Sequence, residues 1–411
     1  MVSEIISVGT EILMGEIVNT DAQYLAKKFN ELGYDHYHQE TVGDNFEKLM
    51  EVLEKALSRA DVIVTTGGLG PTDDDMTKEC VAKFANRELV LNDEALENIK
   101  SYLEKNNFEF TKNNEKQAYL PENAIILKNE VGTAPGFILE LENDKVIIVL
   151  PGPPHELQPM FENYALPYLQ SKCDDVFCST NVQVFGLFEA QVEEKIKDLI
   201  ETQTNPTIAT YCHQGYVTIR ITSKAKTQEE AVKLNSSILD IVKERMGKNI
   251  FEIGERTLNE VVCEYLIKNG ITISVSESCS GGLVSDALVK VPGISSVYQL
   301  GVISYSNNAK MSVLKVKEDT LKEFGAVSFQ TAVQMAQGVR QLGGTDIGIS
   351  TTGIAGPKSD DTKKPVGLVY IALSTKDETI YKELHLNGSR EKIRNMTVLN
   401  VFNMIREYFN I

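Results

Sequence analysis

Residues 60–70 read ADVIVTTGGLG, a run of apolar and β-branched residues that stops at Gly67, Gly68 and Gly70, and MTKECVAKFA (76–85) follows with helical character. A short apolar strand without polar alternation is buried on both faces, as in a parallel sheet lying between two layers of helices. The plan recurs in KVIIVLPGPPHEL (145–157), where strand, Pro/Gly loop and helix come in the same order. SEIISVG (3–9) predicts another strand. TDAQYLAKKFNELGYD (20–35) predicts a helix with Thr20 or Asp21 as N-cap, Tyr24, Leu25, Phe29 and Leu32 on one face, and Gly33 as its stop. Strands alternating with helices predict an α/β domain with a covered parallel sheet.

From about residue 170 the pattern changes. NVQVFGLFEAQVEEKIKDLI (181–200) and YVTIRITSKAKTQEEAVKLNSSILDIVKERM (216–246) predict a small α+β unit. A polar junction, GKNIFEIGERT (247–257), leads to a second α/β block. The predicted domains are therefore 1–169, 170–253 and 254–411.

The 411 residues carry a net charge of −17, which argues against a nucleic-acid surface and against attraction to anionic lipid. The N-terminus, MVSEIISVGTEIL, lacks the basic-then-apolar order of a signal, and no apolar run is long enough to span a bilayer. A cytoplasmic protein acting on small molecules is expected. Cys80, Cys173, Cys178, Cys212, Cys263 and Cys279 form no C-x-x-C pair, so neither a zinc site nor a disulfide framework is expected.

Open parallel sheets place ligands at strand ends. In TTGGLGPTDDDMTKE (65–79) the three glycines let backbone approach a ligand, and the helix start that follows offers free N–H groups to an anion. Asp73, Asp74 and Asp75 sit at that helix start, where a divalent cation could join them to a phosphate, or where each could simply cap the helix. Glu11, in the first strand-end loop, is a further candidate ligand or general base.

The second block raises a question of nucleophile and base. SVSESCSGG (274–282) ends a strand in serines, a cysteine and a glycine pair, ahead of the helical LVSDALVKV (283–291). Ser276, Ser278 and Cys279 are the candidate nucleophiles; neighbouring strand residues point to opposite faces, so Ser278 and Cys279 do not both face one pocket. The only histidine in this block is His385, in YKELHLNG (381–388). The other candidate base is Lys310 in GVISYSNNAKMSVLKV (301–316), placed in the first turn of a helix where dipole and burial both disfavour its charged form. Tyr305 could relay the proton; an exposed surface lysine is the alternative. N–H groups near Ser280, Gly281 and Gly282 could hold an oxyanion.

Taken in order, GTEILMGEIVNTDAQYLAKKFNELGYD (9–35), TTGGLGPTDDDMTKE and LPGPPHEL (150–157) resemble the N-terminal domain of the CinA family, which is similar to molybdopterin-binding proteins of the MoaB/MogA type. ESCSGG, VPGISS, GVISYSNNAK, TTGIAGP and PVGLVYIAL resemble the family's C-terminal domain, similar to bacterial nicotinamide mononucleotide (NMN) deamidases. The resemblance implies an N-terminal molybdopterin-binding-like parallel-sheet domain, a small α+β middle domain and a C-terminal α/β deamidase domain. It implies a bifunctional pyridine-nucleotide recycling enzyme: NMN hydrolysed to nicotinic acid mononucleotide and ammonia, and ADP-ribose hydrolysed with a divalent metal in the N-terminal domain.

By the same resemblance Ser278, Tyr305 and Lys310 are catalytic. From the residues themselves, the turn of Ser280, Gly281 and Gly282 and the loop of Thr352, Gly353 and Gly356 are expected to meet the substrate, and Arg390 or Arg394 its phosphate. In the first domain Gly67, Gly68, Gly70, Thr77 and Gly152 meet the nucleotide and Asp73, Asp74, Asp75 and Glu11 the metal, with Asp75 and Thr77 matching the Asp and Thr of the molybdopterin binders. Ser280 stands where Thr is more usual, which keeps the hydroxyl. The deamidase domain is expected to need no cofactor, and the protein to be a homodimer. A non-catalytic nucleotide or pterin sensor with a role in competence is the alternative.

Overall fold

The computed structural model describes residues 1–172, 175–359 and 364–411; Cys173 lies outside the described residues. The chain divides into two compact units, residues 1–178 with 223–233, and residues 179–222 with 234–411.

In the first unit β1 (Val2–Val8), β2 (Asp35–Val42), β3 (Val62–Thr66), β4 (Ile125–Leu127), β5 (Gly136–Glu140) and β6 (Val146–Leu150) form one sheet in the order β2-β1-β3-β6-β5-β4. β2, β1, β3 and β6 run parallel, whereas β5 and β4 are antiparallel additions at one edge. Every residue of β3 and β6 is buried. Successive side chains of β3 serve opposite layers: Ile63 packs with Leu49, Leu53 and Phe137, while Val62 and Val64 pack with Leu25, Phe29 and Phe161. That two-sided burial explains why the strands read as continuous apolar runs.

Helix α1 (Thr20–Glu31) covers one face through Ala22, Leu25 and Phe29. Its N-cap is Asn19, whose side chain accepts from Ala22 N at 3.1 Å, not Thr20 or Asp21 as the sequence suggested. It stops at Gly33 (φ 72°), where any side chain would strike the Phe177 ring. α2 (Phe46–Arg59) covers the other face, and α3 (Thr77–Phe84) follows the glycine loop. The helix Leu166–Ser171 runs across the expected boundary at 170.

β7 (Val176–Phe185), β8 (Thr207–Cys212), β9 (Tyr216–Ala225) and β10 (Ile250–Ile253) form the middle sheet, in the order β8-β9-β7-β10. Val182, Val184, Ile219 and Ile221 are buried there with Val192, Ile196 and Val242 of the helices Glu189–Thr202 and Gln228–Met246.

The last sheet holds β11 (Ile273–Glu277), β12 (Tyr298–Ile303), β13 (Ile347–Gly353), β14 (Leu368–Ser374) and β15 (Thr379–His385) in the order β12-β11-β13-β14-β15. β11 is the parallel partner of both β12 and β13; β14 and β15 are antiparallel. α4 (Leu283–Val289) and α5 (Asn307–Leu314) follow the first two strands. α6 (Arg390–Phe409) closes the chain. Phe185 and Phe251 of the middle sheet share a core with Val262, Val401 and Phe402. The guanidinium of Arg406, 6 % exposed, donates to the carbonyls of Lys248 and Ile250 at 2.9 Å each. No helix among the described residues is long and apolar enough to cross a membrane.

Candidate functional site

Two sites emerge, one in each unit. In the second, β11 extends by one ladder bond, Ser278 N donating to Thr351 O at 3.0 Å, before the chain turns into α4. The turn needs left-handed backbone at Gly281 (φ 62°) and Gly282 (φ 99°), which only glycine adopts without strain. Ser306 caps α5 by accepting from Ala309 N, and Lys310 stands in its first turn, 1 % exposed. Its Nζ donates to Ser278 Oγ at 3.1 Å, to Ser304 O at 2.7 Å and to Tyr305 O at 3.4 Å. No carboxylate pairs with it among the described residues. Burial pushes its pKa down to about 8, so roughly a tenth of it is a neutral amine at pH 7. A neutral amine against a serine hydroxyl can take that proton, as in Ser-Lys hydrolases.

The neighbouring groups take distinct roles. Cys279 is buried and its thiol is pushed up to about 11, so it holds its proton at neutral pH. His385 is an exposed residue on β15 paired with Glu383 at 2.8 Å. Tyr305 meets Lys310 through its carbonyl, while the residue is 66 % exposed; the phenol relay expected from sequence is not built here, because the strand end turns that side chain outward. Ser280 Oγ is fully buried against Thr351 Oγ1 at 2.6 Å, and Ser280 O accepts from Arg394 Nε at 3.2 Å and Nη2 at 2.8 Å. Both thus shape the nucleophile turn.

Gly282 N donates to Glu277 Oε2 at 2.8 Å, so this N–H is not free to meet an oxyanion. Thr352 Oγ1 donates to Ala326 O at 2.7 Å, and Gly353 is glycine because a Cβ would strike Leu368 O and Val369 on β14. Gly356 takes a positive φ of 85°, and its carbonyl accepts from Arg390 Nη1 at 2.6 Å.

The first unit holds a cleft of about 710 Å³ at the carboxyl ends of β1, β3 and β6. Glu11, Asp21, Asp44, Asp74, Asp75 and Glu156 stand on its wall and no Lys, Arg or His does; Asp73 lies outside the lining, exposed on the loop. Gly67, Gly68, Gly70 and Gly152 line it too. A Cβ on Gly67 would strike Val8 O, on Gly68 the hydroxyl of Thr77, and on Gly70 the carboxylate of Asp75. These glycines let the loop fold onto itself. Thr77 is fully buried beneath Gly68, its hydroxyl unpartnered, and it does not line the cleft.

Asp74 and Asp75 fold back on their own loop. Thr72 Oγ1 donates to both, and Thr72 N donates to Asp75 Oδ2 at 3.0 Å. The Thr72 bond holds the Asp74 carboxyl below its ordinary range. Lys116 anchors the loop from behind, donating to Thr72 O at 3.0 Å and Asp75 O at 2.8 Å. Asp21, read from sequence only as a cap, is 8 % exposed, leaves Oδ1 without a partner, and is pushed up to about 6 by burial. Burial also raises Glu156.

These hard oxygen donors, with no Lys, Arg or His among the lining residues and one orphaned carboxylate oxygen, fit a divalent cation in chemistry. Yet no group of three or more His, Cys, Asp or Glu side chains among the described residues is arranged as a ligand set. Asp21, Asp44 and Glu156 are not legible in the sequence as cleft residues, because only the fold gathers them from two helix starts and a loop.

Comparison with known proteins gives three matches along the chain. A profile described as "CinA C-terminal domain" matches residues 255–409, one described as "Probable molybdopterin binding domain" matches 4–171, and one described as "Damage-inducible protein CinA KH domain" matches 179–252. A CinA-like protein of Dictyoglomus turgidum is 49 % identical over 403 residues, 98 % of both chains. Another, of Kosmotoga olearia, is 48 % identical over 406 residues, 99 % of this chain and 98 % of its own. Among solved structures, a competence/damage inducible protein of Agrobacterium tumefaciens is 35 % identical, covering 37 % of this chain and 96 % of its own with a TM-score of 0.35.

Proposed function

The chain belongs to the CinA family, and from that premise we propose that it is a bifunctional hydrolase of pyridine-nucleotide metabolism. Its second unit cleaves the carboxamide of NMN, and its first hydrolyses the pyrophosphate of ADP-ribose with a divalent metal. The observation that carries the amidase reading is the contact between Lys310 Nζ and Ser278 Oγ at 3.1 Å, both residues buried and the amine without a carboxylate partner among the described residues. The choice of NMN rests on the resemblance of the motifs around that pair.

The chemistry follows from the two groups. Neutral Lys310 takes the Ser278 proton as Oγ bonds to the carboxamide carbon, and the carbonyl π electrons move to oxygen. Free N–H groups of the turn receive that oxyanion. It collapses, the C–N bond breaks, and Lys310 returns the proton so that ammonia leaves. Water then repeats the sequence at the acyl-serine, giving the carboxylate and restoring Ser278. Measuring ammonia released from NMN tests this: steady turnover supports the reading, and its absence from a folded protein refutes it.

In the first unit Asp21, Asp74, Asp75, Glu11 and Glu156 would hold the metal, which when bound neutralises phosphate charge and polarises the P–O bond. The protein's own groups shape the cleft: Lys116 fixes the acidic loop, and the glycines admit backbone to the ligand. One observation favours binding without turnover here, since Asp74 and Asp75 are bonded back to Thr72. ADP-ribose hydrolysis that dies with chelator and returns with metal selects the enzyme; unchanged ligand affinity with no hydrolysis selects the sensor.

A further inference from the structure

Glu277 immediately precedes Ser278 and is 1 % exposed. A carboxylate that deep in a protein needs partners, and all of those seen are N–H or O–H donors. Oε2 accepts from Gly282 N at 2.8 Å and Val284 N at 3.1 Å. Oε1 accepts from Ser285 N at 2.8 Å and Ser285 Oγ at 2.7 Å. The Ser285 hydroxyl is in turn steadied by Tyr298 Oη at 2.8 Å. The backbone of Glu277 is engaged as well, its carbonyl accepting from Ser304 N at 2.8 Å, next to the carbonyl that holds Lys310.

Two consequences follow. Three N–H groups at the start of α4, which would otherwise be the natural place for a developing anion, are already spoken for. The Gly281 N–H, by contrast, meets no acceptor among the described residues, and its residue sits in the left-handed conformation that Glu277 enforces from one side and Arg394 from the other. The carboxylate also ties residue 277 to residues 282–285 across the nucleophile, closing a small ring around Ser278.

We propose that Glu277 is a positioning residue of the amidase site: its carboxylate holds the 278–282 turn so that Ser278 Oγ rests on Lys310 Nζ and the Gly281 N–H is left as an oxyanion donor. The assignment rests on the amidase reading above. It reverses the usual logic of a strand-turn-helix nucleophile, where the helix start serves the reacting oxygen. Here the helix start serves the protein.

The test compares the full-length protein with Glu277→Gln, Glu277→Asp and Ser285→Ala. NMN kinetics, the rate of covalent labelling of Ser278 by a fluorophosphonate, and thermal melting are measured together. In Glu277→Gln an NH2 group confronts N–H donors and the turn opens. kcat and the labelling rate are each expected to fall about 100-fold, the scale of losing one oxyanion donor, with KM nearly unchanged. The pH midpoint set by Lys310 is expected to stay in place, because its pocket is intact. Ser285→Ala removes one donor of four and is expected to cost a few-fold in the same two rates.

A Glu277→Gln protein that melts normally and keeps native kcat and labelling overturns the proposal. So does a change confined to KM, which would make Glu277 a substrate contact, or a displaced pH midpoint, which would make it a charge acting on Lys310. If Glu277→Gln does not fold, Glu277→Asp and Ser285→Ala decide by the same ratios. Native protein that is labelled at Ser278 yet leaves NMN intact refutes the amidase reading alone, and the labelling rates still judge Glu277.

Discussion

The Ser278–Lys310 pair and the acidic cleft hold polar groups together in opposite ways. Around Ser278 the hydroxyl and the amine already touch, burial has shifted the lysine, and Ser280 is held through both its hydroxyl and its carbonyl. In the cleft six carboxylates share a wall without converging, and two of them are turned back upon Thr72. A neutral base can be stored in contact with its nucleophile, because burial stabilises the uncharged form. Several carboxylates cannot be stored together without a cation, because like charges repel. One site thus brings its polar groups into contact, and the other keeps its carboxylates apart.

The sharpest way to break the comparison is to remove the stored pair. Ser278→Ala and Lys310→Ala are each expected to lose at least ~1,000-fold in NMN turnover, with the double variant little worse, since the two act as a unit. Cys279→Ala should stay close to native, and a dead but folded Cys279→Ala would move the nucleophile to the thiol. Chelation comes next. ADP-ribose hydrolysis should drop to background in EDTA and recover with a divalent metal, while ammonia release from NMN is untouched; equal sensitivity of both activities would erase the distinction.

A smaller effect separates the sites by pH. Lys310 must lose its proton to act and does so near pH 8, so kcat/KM for NMN should rise about tenfold per unit below that midpoint and level off above it. A flat profile between pH 6 and 9 would deny that Lys310 is the base. Within the cleft, Asp21→Asn is expected to weaken metal-dependent hydrolysis by roughly tenfold, the scale seen for carboxylates around metals, and Asp73→Asn to change nothing measurable. Titration of the two variants with Mn²⁺ checks the ranking.

The smallest expected effect concerns stability. A fragment of residues 254–411 loses the Lys248 and Ile250 carbonyls that satisfy buried Arg406, together with Phe251 of its core. It should be less stable than 247–411 by roughly 1–3 kcal/mol, seen as a lower melting temperature. Equal melting of the two fragments would show that the middle domain's last strand adds nothing.

How legible all this was depends on whether a residue's partner is local. β3 and β6 were plain in the sequence because strands buried on both faces are apolar throughout. The antiparallel edge strands β4 and β5 were not read, being three and five residues long with no helix between them. Lys310 could be placed in a first helical turn from its cap alone, but that its amine reaches Ser278 depends on the parallel pairing of β11 with β12. Tyr305 is legible as part of a motif, but a motif does not reveal which way a strand-end side chain points. Asp21 looks like a helix cap, and Glu277 like one more polar residue in a serine-rich strand. Their roles exist only once other segments surround them.

Helix α6 carries one more consequence. Arg394 grips the Ser280 carbonyl near its start, and Arg406, twelve residues later, grips the middle domain's edge strand. Along a helix that separation is about 18 Å, and each residue adds about 100° of rotation. The segment between the two arginines therefore has no tolerance for changes of length. One inserted or deleted residue would swing one guanidinium a quarter-turn away from its carbonyl, whereas surface hairpins elsewhere can lengthen freely. An insertion between the two arginines should therefore cost more than one in an exposed loop.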